Sequence, residues 1–121
     1  MNTTLWALQG LLALAFLGAG ILKLARTREA LTAQPKMAWA ADFSAGQIKL
    51  IGLAEALGAV GLILPVLLGI LPVLTPIAAA GLALLMAGAA VTHVRRREPA
   101  GPPTVLGLLS LAVAVGRTIL A

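Results

Sequence analysis

No cysteine occurs among the 121 residues. The chain therefore builds no disulfide, thiol relay, iron–sulfur cluster or thiolate metal site of its own. Aromatic residues make up 3% of it and charged residues 11%, too few for the interleaved basic and aromatic platform that binds single-stranded nucleic acid. There are four acidic residues and one histidine. They form no paired-carboxylate motif, and the glycines make no phosphate loop or nucleophile elbow. Leu, Ala and Gly dominate instead. Hydrophobic residues reach 60%, against roughly 45–50% in a soluble domain, and the mean hydropathy is +1.03. This is the composition of a bilayer protein, with no stretch left over for a soluble domain. The net charge of +5 sits in loops that flank the apolar runs, where anionic lipid headgroups are the expected partner and nucleic acid is not.

The runs divide the chain into an all-α, integral membrane four-helix bundle, a single domain over residues 1–121 with spans at about 4–24, 47–68, 73–93 and 104–120. At about 1.5 Å per residue each is long enough for a hydrocarbon core of roughly 30 Å. No positive charge precedes the first run, as a secretory signal would require, so it reads as a retained helix with Trp6 at an interface. Residues 25–46 are the one long polar connection. Arg26–Ala33 suits a short helix that Pro35 ends, and Met37, Trp39 and Phe43 beside Lys36 and Asp42 suit a segment lying on the membrane surface. The second span ends near Pro65, and Pro72 and Pro76 stand where the third can begin. Ala79, Ala83 and Ala87 form a small-residue ridge, a candidate surface for packing in the bundle or for homo-oligomer formation.

Orientation follows from the basic residues. In a four-span chain the first and third links share a side. That side holds Lys23, Arg26, Arg28, Lys36, Lys49, Arg95, Arg96 and Arg97, eight of the nine, and only Arg117 lies elsewhere. The positive-inside rule then puts both termini on the outer side.

Each span carries an ionisable residue: Lys23, Glu55, His93 and Arg117. Glu55 lies roughly 10 Å below the headgroups, where a bare carboxylate is costly. Its helical neighbours Gly52, Gly58 and Ala59 let another helix approach closely. A helical Cβ tilts toward the helix N-terminus, so side chains near the ends of oppositely directed spans lean together. All four are expected to converge on the cytoplasmic half: Lys23 or His93 reaches Glu55, and Arg117, starting roughly 10 Å farther out, meets it only through its full length or a water. The four are candidates for a ligand site or polar network, with no catalytic residue assigned. Snorkelling of Lys23 and His93 to the interface is the rival reading. A lone histidine with one carboxylate is too few ligands for a well-made metal site, and no metal is assigned.

The segments FLGAGILKL, DFSAGQIKLIGLAEALGAVGLILP and AAAGLALLMAGAAVTHVRRRE, followed by a fourth helix ending VAVGRTIL, resemble the DoxX-like family of small four-helix bacterial membrane proteins. The resemblance implies a bundle in the cytoplasmic (inner) membrane and a link to quinone-associated redox chemistry. It implies no uniform activity. The preferred function is an accessory subunit that supports a redox-protein partner and admits a quinone between its helices; no cofactor site is encoded in a motif. A second class is an enzyme acting on a small lipophilic substrate, with Glu55 and His93 as acid and base. A third is a proton-coupled carrier using Glu55.

The topology has a direct test. Single cysteines at Asn2 and at Ala121 are expected to react with a membrane-impermeant reagent in intact cells, and one at Ala100 is not; the reverse labelling overturns the orientation.

Overall fold

The structure is a computed structural model and describes residues 2–119, apart from the Lys36 side chain. Leu120, the expected end of the fourth span, lies outside the described residues, as do Met1 and Ala121. Five α-helices follow in order: α1 (Asn2–Ala25), α2 (Arg28–Thr32), α3 (Ala45–Leu68), α4 (Leu74–Arg95) and α5 (Gly101–Ile119). A 3₁₀ segment, Pro35–Asp42, stands between α2 and α3. No strand occurs among the described residues. α1, α3, α4 and α5 are long and apolar enough to cross a membrane. They close a ring in which α1 and α4 each pack against both α3 and α5. The α1–α3 and α4–α5 links share one end of the bundle, called here the basic end.

The inward stripes keep helical spacing. On α1 the buried residues are Leu5, Gln9, Leu12, Phe16, Gly20 and Lys23, and on α3 they are Ile48, Gly52, Glu55, Ala59 and Leu62. Large aliphatics turn outward: Leu14 and Leu84 are 73% and 75% exposed. In lipid this costs nothing, because hydrocarbon outside is as apolar as the interior, and close packing selects small and polar residues for the inside.

The tightest seam joins α1 to α3. A Cβ on Gly20 would stand 2.6 Å from the Gly52 carbonyl oxygen and 2.8 Å from the Ala56 nitrogen, and one on Gly52 would stand 2.8 Å from Lys23 Cβ. The two backbones touch, and only hydrogen fits between them.

Local chemistry sets the helix ends. Ser44 Oγ accepts from the Gln47 N–H while Gln47 Oε1 accepts from the Ser44 N–H, a reciprocal capping box that starts α3 at Ala45, ahead of the expected 47. Lys49 Nζ donates to the carbonyls of Lys23, Leu24 and Arg26 at 2.6–3.1 Å. A cation thereby meets the negative end of α1 and satisfies carbonyls that have no intrahelical donor.

Pro65 does not end α3. The helix continues to Leu68 and stops at Gly69, whose φ of 67° is the left-handed conformation glycine adopts without strain. A proline inside a helix leaves the carbonyl four residues earlier without its N–H donor. That carbonyl belongs to Gly61, and Thr75 Oγ1 of α4 donates to it at 2.8 Å. The neighbouring Leu62 carbonyl accepts from Gln9 Nε2 of α1. A side chain of α4 thus supplies what the proline removes, as an apolar solvent demands, and α1 adds a second tie at the next carbonyl.

The alanine ridge is partly consumed inside the bundle. Ala79 is fully buried, and the Ala83 backbone faces Gly107 of α5; only Ala87 is exposed.

Gly20→Val is expected to cost at least about 3 kcal/mol in thermal or detergent unfolding, since backbone cannot yield as a side chain can. Gly18, with open space at its Cβ position, provides the control: Gly18→Ala should stay within about 1 kcal/mol of the parent. Equal effects at both positions would refute the backbone contact.

Candidate functional site

Lys23 and Glu55 meet across the α1–α3 seam. Lys23 Nζ lies 2.7 Å from Glu55 Oε1, and the residues are 7% and 3% exposed. The glycine contact holds the helices close enough for this pair, one turn further along each helix. The pair offsets two charges whose separate burial would cost several kcal/mol each.

The connection between α1 and α3 folds over this end. Leu31 and Ala40 are fully buried with Ile48, and Leu22, Met37, Trp39 and Phe43 pack around them. Its apolar side chains therefore face the bundle; the capped start of α3 and a basic side chain hold it there. Arg28 donates to the Phe43 and Ala41 carbonyls, both at 2.7 Å. Trp39 becomes the centre of an aromatic and cationic cluster: Lys23 Nζ is 5.6 Å from its ring centroid, Phe43 makes an edge contact at 5.8 Å, and His93 one at 6.3 Å.

His93 reaches this cluster but pairs elsewhere. The Arg97 N–H donates to the Val94 carbonyl and the Glu98 N–H to the His93 carbonyl. Arg97 takes φ 57°. This Schellman closure turns the chain back on α4 and sets Glu98 Oε1 3.1 Å from His93 Nδ1. Arg96 then donates to Glu98 Oε2 at 3.2 Å and to Asp42 Oδ1 at 2.7 Å. The hydrogen bond with Glu98, followed by the charge of Asp42, holds the Arg96 guanidinium above its ordinary range. One chain of contacts thus clips the 3₁₀ segment to the end of α4.

Between these walls lies a cavity of about 510 Å³. Lys23, Glu55, His93 and Trp39 supply its polar and aromatic side; Met86 and Leu106 are among the apolar residues opposite. A larger recess of about 780 Å³ between α3 and α4 is lined by Leu, Ala, Gly, Val, Ile and Pro and has no titratable side chain. Among the described residues no group of three metal-binding side chains occurs.

Three of the four ionisable span residues therefore line one cavity, and Arg117 does not join them. Its Nε donates to Gln9 Oε1 at 2.6 Å and its Nη1 to Asn2 Oδ1 at 2.7 Å, with Trp6 beneath it. Side-chain tilt moves a group by a fraction of a turn, whereas Arg117 and Glu55 are separated along the bundle by more than that. The neutral acceptors on α1 are at its own level. Gln9 was readable as a site residue, being a polar side chain inside an apolar span. Trp39, Asp42, Arg96 and Glu98 were not, because chain reversals bring Trp39 into the cavity lining and the other three into the chain of contacts that starts at His93.

A thermal cycle tests the pair. Glu55→Gln and Lys23→Met should each destabilise by about 3–5 kcal/mol through the charge left behind, and the double variant should recover a substantial part of that loss. Simple addition of the two losses would mean that no pair exists.

Among known proteins, the model of the DoxX-like family matches residues 7–115. No curated protein sequence and no solved structure matches the chain.

Proposed function

This chain belongs to the DoxX-like family, and we propose that it is an accessory membrane subunit whose basic-end cavity holds a small lipophilic molecule of the quinone class for a redox partner. One observation carries the reading: the cavity of about 510 Å³ joins a buried ammonium–carboxylate pair and an indole face to an apolar wall. A pocket of this size, mostly apolar with a few placed polar groups, suits a molecule with a flat polar head and a hydrocarbon remainder. The Lys23 ammonium would donate to a head carbonyl, the Trp39 ring would stack on the head, and the apolar wall would take the start of the tail. Glu55 would keep the ammonium in position without a net buried charge. On this reading the basic end faces the cytoplasm, the membrane is the inner one, and without cysteine the chain supplies no thiol chemistry of its own.

Glu55 and His93 face the same space, but each is engaged by its own partner, Lys23 and Glu98. That arrangement favours binding over acid–base turnover.

Trp6 and Trp39 are the two tryptophans, so Trp6→Phe leaves Trp39 as the single reporter. Adding a short-chain quinone analogue to this variant in detergent should quench its fluorescence saturably, with half-saturation on the order of 1–100 µM. Ala89→Leu, which places bulk in the cavity lining, should weaken the response at least tenfold. Quenching that never saturates, or that ignores Ala89→Leu, overturns the proposal.

A further inference from the structure

At the end of the bundle away from the basic loops, Arg117 is a buried cation that the proposed binding role does not use. It is 7% exposed, and its Nη2 has no hydrogen-bond partner among the described residues. The groups it does meet, Gln9, Asn2 and the Trp6 ring 5.2 Å from its Cζ, are neutral. They satisfy donors and leave the charge in place, and a guanidinium does not escape burial by losing its proton. The acidic residues of the sequence are Glu29, Asp42, Glu55 and Glu98. All four belong to the basic-end loops or to the pair with Lys23, so no acidic side chain balances Arg117.

A second feature coincides with it. Asn2, which accepts from Nη1, is the first residue of the 24-residue α1. The first-turn N–H groups of a helix have no intrahelical acceptors, and its dipole is positive there. A guanidinium with an unused donor beside a helix N-terminus favours an oxyanion. The depth narrows the class: the Trp6 ring packed against Arg117 is a side chain suited to the membrane–water interface, the level of headgroups. The geometry points to an anion site made by Arg117, Asn2 and the first turn of α1, taking a phosphate oxyanion from a phospholipid head or from free phosphate. This site is independent of the cavity at the basic end.

The test uses the full chain in maltoside micelles, which contain no phosphate, melted with added inorganic phosphate, phosphatidylglycerol or diacylglycerol. A rise of about 5 °C is expected with a phosphate-bearing probe and none with diacylglycerol. A response to phosphatidylglycerol alone assigns the lipid; a response to both probes assigns phosphate in either form. Arg117→Lys keeps the charge but loses the planar fork, and should at least halve the rise. The double variant Arg95→Gln, Arg97→Gln, exposed at the basic end, should retain it. If Arg117→Lys does not fold, the comparison of probes on the parent chain still decides. No rise with either phosphate probe, an equal rise with diacylglycerol, or a rise abolished by the Arg95 and Arg97 changes overturns the site.

Discussion

The contact between the backbones at Gly20 and Gly52 is the constraint on which the basic end depends. Dispersion between two helix backbones needs them near enough that nothing larger than hydrogen intervenes, and lipid offers no hydrophobic force to bring them there. Once they touch, three polar interactions come into range along the same seam. Lys49 caps α1, Lys23 meets Glu55, and Gln9 reaches the carbonyl of Leu62. None of these could form across a seam held apart by leucines.

Two polar centres result, one near each end of the bundle, and they differ in charge balance. At the basic end an ammonium and a carboxylate cancel, and beyond them Arg96 pairs with Glu98 and Asp42 while Glu98 also meets His93. At the far end the guanidinium meets only neutral groups among the described residues, the amides of Gln9 and Asn2 and the Trp6 ring, and no acidic side chain balances it. The same bundle thus presents a neutral pocket and a cationic corner, separated by the apolar core of Leu12, Phe16, Ala59, Leu62 and Leu82.

Pro65 shows how a helix-breaking residue can serve the fold. The carbonyl it leaves without a donor becomes the acceptor that fixes α4 through Thr75, and the next carbonyl fixes α1 through Gln9. Gln9 in turn accepts from Arg117 on α5. Two adjacent carbonyls of α3 are therefore tied directly to α4 and α1, and through Gln9 to α5. In hydrocarbon each of these groups would be expensive without its partner, which gives the arrangement its specificity.

Composition and run length alone determined that the chain makes four apolar helices, because spanning a bilayer needs a length and polarity that few other structures share. The small-residue stripe around Glu55 also marked the face that meets another helix, and opposite tilts near two helix ends made Lys23 a legible partner. The capping box at Ser44 and Gln47 and the polar Gln9 were equally present in the sequence, as local signals. The rest required the tertiary structure. Whether Arg117 joins Glu55 or Gln9 depends on relative heights and neighbours across the bundle, which periodicity within one helix does not encode. That Trp39 faces the cavity, and that Asp42, Arg96 and Glu98 link up with His93, depends on how residues 25–46 fold back and how α4 closes at Arg97. Those are contacts between segments distant in sequence, and they exist only once the helices have packed.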